Sequence, residues 1–281
     1  MSTRKTRRRV HGTVAASTAT ALTATLLLAG PAGAWADEST GEQATQSVVA
    51  DALAGVESVD PELIAEPLTT GQATGTVPLG SGTVEVPTDL DAGITFTSPD
   101  GDTLTVRPTD SAAAESATAL DDGTVVFPGD TSASSVIVAE QGVQMLTTIT
   151  DETAPTRYSY DLDLEAGEHL DVVDGGAVVT DADGTVLLAA AAPWATDAEG
   201  AAVPTRYEVD GSTLTQVVDH TAVDAAYPVV ADPIWLAPWV VKCLIGLGIK
   251  GPDITRIASM GTPAAILAAF GRAAVACIFG K

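Results

Sequence analysis

The stretch RYSYDLDL, residues 157–164, places Tyr158, Tyr160, Leu162 and Leu164 on one side and Ser159, Asp161 and Asp163 on the other. A side-chain period of two marks a strand with one buried face. Short runs of this kind recur from residue 76 onward: GTVEVP, GITFTSPDGDTLTV, GTVVFPG, SSVIVAEQGVQMLTTIT, AVVTDADGTVLLAA and RYEVDGSTLTQVV. Each alternates, or stays apolar, over strand length and is bounded by turn residues. Asp-Gly pairs at 100–101, 122–123, 183–184 and 210–211 supply hairpin turns, because these residues tolerate positive φ. About a dozen strands with short connections predict an antiparallel sandwich or barrel, not β-α-β units.

Two regions carry a helical period instead. Val48, Val49, Ala52, Leu53 and Val56 share one face of a short amphipathic helix, and a proline-containing stretch follows. Residues 37–75 therefore read as an acidic leader helix and linker. Residues 233–281 predict three helices. Pro238 opens one that ends near Gly248, and Pro252 opens another, with Asp253 in its first turn and Gly261 beyond it. Thr262 caps the third, on which Ile266, Leu267, Phe270, Ala274, Cys277 and Ile278 form the apolar face. The expected fold class is mainly β: an antiparallel sandwich-like domain over 76–232, followed by a small helical C-terminal unit over 233–281.

The N-terminus changes how the rest is read. Arg4, Lys5, Arg7, Arg8 and Arg9 precede a threonine-diluted apolar core, and PAGAWA ends in small residues at Ala34 and Ala36. This is the layout of a secretory signal peptide over 1–36, and the core is short for a membrane span. The mature chain is expected to begin at Asp37, outside the cytoplasm. In an oxidising compartment Cys243 and Cys277, the two cysteines of the chain, are expected to form a structural disulfide. Closing that loop stabilises by about 3–4 kcal/mol.

The net charge of −24 is unevenly distributed. Residues 37–232 hold 36 acidic groups against three arginines, Arg107, Arg157 and Arg206. Such a body repels nucleic acid and anionic lipid. Residues 233–281 reverse the sign, with Lys242, Lys250, Arg256, Arg272 and Lys281 against Asp253 alone. Together with Trp235 and Trp239, these cations are the candidate contacts to a membrane surface or another envelope protein. The tail's apolar faces have two candidate destinations, the β body and a lipid headgroup boundary.

Candidate chemistry is sparse. His169 and His220 sit among acids at expected strand ends and read as surface histidines. No GxSxG elbow accompanies them, and ASMG at 258–261 does not replace one. Carboxylate pairs such as Asp161 and Asp163 follow from abundance, and the low aromatic content argues against a sugar cleft. The turns SPDGDT (Asp100, Asp102) and TDADGT (Asp181, Asp183) offer oxygens to calcium, but they lack EF-hand spacing and read as turn chemistry. No phosphate loop, zinc motif or dinucleotide fingerprint is present. No catalytic residue, cofactor, metal ligand or small-molecule substrate is expected. APTRYSYDLDL at 154–164 returns as VPTRYEVDGSTL at 203–214, placing Arg157 and Arg206 at equivalent strand starts. They either bind a ligand or neutralise neighbours such as Asp151, Glu152 and Glu208.

Residues 154–233, ending in YPVVADP, resemble a β module of bacterial secreted wall-associated and Rhs-type proteins. The resemblance implies a non-catalytic β domain, an envelope or extracellular setting, and a module boundary at Pro233. The tyrosine-aspartate repeats of Rhs shells and their toxin domains are absent, so no toxin activity is implied. The tail is similar in size, charge and small-residue content to membrane-active bacteriocins. The leading expectation is a secreted, non-enzymatic envelope or extracellular protein whose tail is an interaction or membrane-docking module. The rival is a bacteriocin-like precursor whose acidic body masks a membrane-active tail until proteolysis near Asp232-Pro233. A hydrolase with an unrecognised site is a third class.

Overall fold

A computed structural model describes residues 35–68, 74–109 and 117–280. Residues 1–34 of the expected signal peptide, and Lys281, lie outside them. The leader is a helix, α1 (Trp35–Val59), with Val49, Leu53 and Val56 buried as the period predicts, whereas Val48, expected on the same face, is exposed. Strands β1 (Gly75–Leu79), β2 (Gly82–Val86), β3 (Ile94–Thr97) and β4 (Thr103–Pro108) follow. Next come β5 (Thr118–Ala119), β6 (Val125–Phe127), β7 (Ser132–Ala139) and β8 (Gly142–Ile149). The chain continues through β9 (Arg157–Leu162), β10 (His169–Val173), β11 (Gly176–Thr180) and β12 (Val186–Ala190). The remaining strands are β13 (Ala195–Thr196), β14 (Thr205–Asp210), β15 (Thr213–Val218), β16 (Val229–Ala231) and β17 (Ile234–Leu236). Three helices end the described chain: α2 (Pro238–Gly246), α3 (Gly251–Ala258) and α4 (Pro263–Phe279).

The strands form two antiparallel sheets. One runs β1-β2-β3-β4-β9-β15-β14, and the other β10-β11-β12-β17-β8-β7-β6-β5, with β16 beside β8 and β13. The fold is therefore mainly β and sandwich-like with a helical C-terminal unit. The four Asp-Gly pairs named above sit at hairpin turns, with positive φ at Gly101, Gly123, Gly184 and Gly211, and a fifth, Asp174-Gly175, turns β10 into β11. In β9, Tyr158, Tyr160 and Leu162 are buried while their neighbours are not, the split that the alternation demands. Strand β8 is buried along its whole length, as a central strand covered on both faces should be.

The main core joins both sheets and all four helices. A smaller core of Ile149, Tyr158, Val203, Val218 and Val229 lies apart from it. Tyr160 on β9 and Trp235 on β17 meet edge to face across the sandwich, with ring centroids 6.2 Å apart. The module boundary expected at Pro233 falls one residue ahead of β17, which is a strand of the larger sheet and not part of the helical unit. Leu236 and Trp235 pair with Ala189 and Ala190 of β12 on one side. On the other side Ile234, Trp235 and Leu236 pair with Gln144, Val143 and Gly142 of β8. Chain after Pro233 thus completes the sheet before it turns helical.

Candidate functional site

The tail is anchored by its apolar faces. Pro238 opens α2, whose Val240, Val241 and Leu244 are buried. The Trp239 and Phe96 rings meet edge to face with centroids 6.4 Å apart, Phe96 lying on β3 in the smaller sheet. A Cβ at Gly82 would stand 2.5 Å from that indole, so the glycine creates the seat for it. Helix α3 buries Ile254, Ile257 and Ala258 against β11 and β12. Thr262 caps α4 as expected, accepting from the Ala265 N–H at 3.3 Å. Gly271, with φ 83°, kinks α4, so its apolar face does not stay in one line. Ile266, Ala274 and Ile278 are buried, whereas Leu267, expected on the same face, is 50 % exposed. The Cys243–Cys277 disulfide ties α2 to α4, with the Cα atoms 5.6 Å apart.

The cations point the other way. Lys242, Lys250, Arg256 and Arg272 are exposed or partly so. Lys242 Nζ reaches Asp100 in the β3–β4 turn at 3.1 Å, and the Arg256 guanidinium lies 4.8 Å above the Phe270 ring. Trp235 leaves the expected contact set: it is 1 % exposed, because its strand is inside the sheet. Lys281 lies outside the described residues. Among the described residues, no helix is long and apolar enough to cross a membrane.

On the body, the sequence echo has a geometric meaning. Strands β9 and β14 both pair with β15, one on each side. Arg157 and Arg206 both lie opposite Val217, and Tyr158 and Tyr207 both lie opposite Gln216. Glu208 bridges the two guanidiniums, at 2.8 Å from Arg157 and 3.0 Å from Arg206, and Asp219 adds a 3.0 Å contact to Arg206. Those contacts, Arg157's first, hold the Glu208 carboxyl below its usual range. Both arginines are thus engaged in ion pairs on the outer face. Arg107 pairs with Asp163 at 3.2 Å.

His220 is not a surface histidine: it is 1 % exposed. Its Nδ1 is bonded to the Tyr227 hydroxyl at 2.7 Å, and its Nε2–H donates to the Pro155 carbonyl at 3.1 Å. That makes it a latch between two loops. Its sequence neighbours are acidic, so nothing in the local pattern announces its burial. His169 is exposed at the start of β10. In the TDADGT turn, Asp181 Oδ1 accepts from the N–H groups of Asp183 (2.9 Å) and Thr185 (2.8 Å), which is turn chemistry. No group of three His, Cys, Asp or Glu side chains suited to a metal ion gathers among the described residues.

The most unusual chemistry is at a site that the residue pattern alone does not single out. Asp232, in the two-residue link between β16 and β17, is fully buried. Its Oδ1 accepts from the Trp194 N–H at 3.0 Å, while Oδ2 has no hydrogen-bond partner among the described residues. Burial pushes the carboxyl up to about 8, and the Trp194 N–H with the nearby Gln144 amide reverses this only in part. Gln144 of β8 also clamps the leader, donating to Leu63 O and accepting from Ala65 N, both at 2.7 Å. From the opposite sheet, Gln216 Nε2 donates to Trp194 O at 3.3 Å. The Gln216 Oε1 and Tyr207 Oη atoms are buried without partners among the described residues. Burial, then the nearby Asp232, push the Tyr207 phenol well up. Asp232 also borders a cavity of about 540 Å³ between the leader, the sheet and the tail. Its wall includes Glu62, Gln144, Trp194, Ser259 and Phe279. In the sequence Asp232 is only the next-to-last residue of YPVVADP; one acid among 36 gives no sign of being the buried one.

No protein-family model matches the chain, and neither does any curated protein. The functional reading rests on the geometry.

Proposed function

We propose that the chain is a secreted, non-enzymatic envelope or extracellular protein whose acidic β body carries the C-terminal helices as a docking module. One observation carries this reading: the tail directs its apolar residues at the body and its cations at solvent. Val240, Val241, Leu244, Ile254 and Ile257 are buried, while Lys250, Arg256 and Arg272 are exposed. The module meets its target as a folded cationic cap. At physiological salt, screening over about 8 Å lets a local cationic surface act despite the charge of the body. The test is sedimentation of the intact chain with vesicles of phosphatidylglycerol and phosphatidylcholine. Binding that weakens with salt and is lost in K250E/R256E/R272E supports the reading. No binding at physiological salt, or binding unchanged by the triple variant, overturns docking through this cap.

One observation favours a second reading, the bacteriocin-like precursor. Both cysteines lie beyond Pro233, so a tail cut there keeps its disulfide. Against it stands β17, because release of residues 233–281 must first extract a strand from between β12 and β8.

A further inference from the structure

Asp-Pro occurs twice in the chain, at 60–61 and at 232–233. The two copies differ in every respect that matters to peptide-bond chemistry. Asp60 is exposed, and its carboxylate caps a turn by accepting from the Glu62 N–H at 3.1 Å. Asp232 is buried at a strand junction, with one carboxyl oxygen fixed and the other unpartnered among the described residues. Its proline is fixed as well, since the Pro233 carbonyl accepts from the Met145 N–H at 2.8 Å. The cavity beside it is wide enough for several waters.

We propose that the protein cuts its own chain once, between Asp232 and Pro233, with the Asp232 side chain as nucleophile and proton donor. Oδ2 attacks the carbonyl carbon of Asp232 itself, closing a five-membered ring within one residue. That ring needs no partner residue, so the proximity advantage of an intramolecular attack applies in full. The carboxyl proton passes to the Pro233 nitrogen, the C–N bond breaks, and proline leaves as a secondary amine. Proline suits this role because its nitrogen, carrying two alkyl carbons, is more basic than other peptide nitrogens and takes up the proton more readily. The residue left behind is a cyclic anhydride. One water from the cavity opens it, restoring the side-chain carboxyl and leaving a new C-terminal carboxyl on residue 232. One peptide bond and one water are consumed, and nothing is oxidised or reduced. Burial keeps the carboxyl protonated near neutral pH, the state that the proton transfer requires.

The products have a distinctive behaviour. Residues 234–236 stay paired between β12 and β8, so the cut chain remains one particle under native conditions. Both cysteines lie on the C-terminal fragment, so no disulfide joins the two pieces. The proposal holds under either reading of the function.

The test is incubation of the purified, protease-free intact chain near pH 6 and near pH 9.5, followed by non-reducing denaturing electrophoresis and intact mass. The expected result is one fragment beginning Pro233-Ile234-Trp235, slower to appear at the higher pH by about tenfold or more. Size exclusion in native buffer should show no change. Asp232→Asn keeps an acceptor for the Trp194 N–H, and Pro233→Ala keeps the acid; both should remain uncut, with wild-type circular dichroism. An intact wild-type chain after days near pH 6 overturns the proposal. So does cleavage of Asp60-Pro61 at the same rate, or cleavage of Asp232→Asn at the wild-type rate.

Discussion

Replacing Asp232 with asparagine turns the buried carboxyl into a measurable slope of stability against pH. The carboxyl's ordinary value is 3.8, and in the fold it is raised to about 8. Between those values the native chain holds a proton that the unfolded chain has released. Stability therefore falls as pH rises, by about 1.4 kcal/mol per unit, from full strength below the ordinary value until the decline ends at the folded one. At pH 7 the accumulated loss is about 4 kcal/mol. The amide of the D232N variant has no such proton to lose, and its oxygen still accepts from Trp194. Carboxyls held low in the fold, such as Asp151 and Asp197, tilt the profile the opposite way. They are common to both proteins and cancel in the difference. Urea denaturation at pH 5, 6 and 7, on chain shown intact by mass, reads that difference directly. The advantage of D232N over wild type should grow by about 1.4 kcal/mol for each unit. Parallel profiles would mean that Asp232 is ionised in the fold and would refute the reasoning.

Three further outcomes follow from the same geometry. Burial works against the Asp197 carboxylate, but N–H groups of Ala226, Ala201, Glu199 and Gly200 outweigh it and hold the group low. D197A should destabilise by about 1–3 kcal/mol at pH 7, and thermal scans should show the deficit closing as pH falls below the ordinary value of 3.8. Gly82→Ala puts a carbon 2.5 Å from both the Thr97 carbonyl and the Trp239 ring, so denaturant melts should show a loss of about 1–3 kcal/mol and a red-shifted tryptophan emission. C243S/C277S opens a loop of sequence separation 34 and should cost about 3–4 kcal/mol by the same melts.

How far the sequence reaches can be judged residue by residue. The alternation in RYSYDLDL and the four Asp-Gly turns are local signals, and local physics decides them. The same is true of Thr262 at its helix start. The apolar face of α4 departs from its expected line where Gly271 breaks it, because a glycine inside a helical pattern announces neither its φ nor the direction of the bend. Trp235 and His220 depart from expectation for a different reason. Each owes its burial to chain far away: Trp235 to β8 and β12, and His220 to Pro155. Asp232 is the extreme case, since its chemistry depends on Trp194, Gln144 and the shape of a cavity that no spacing rule encodes.

Strand β17 has a consequence for the order of assembly. It is the only element that joins β10-β11-β12 to β8-β7-β6-β5 within the described sheet. Synthesis runs from the N-terminus, so every strand that flanks β17 exists before it does. Until residue 236 is added, the two groups of strands present open edges to each other and to any other chain. Closing the sheet is thus a long-range, late event, and such events are slow and exposed to misassembly. A chain broken off before Leu236 cannot close its sheet, however complete its hairpins are. The strand acts as a keystone, set last and holding both sides.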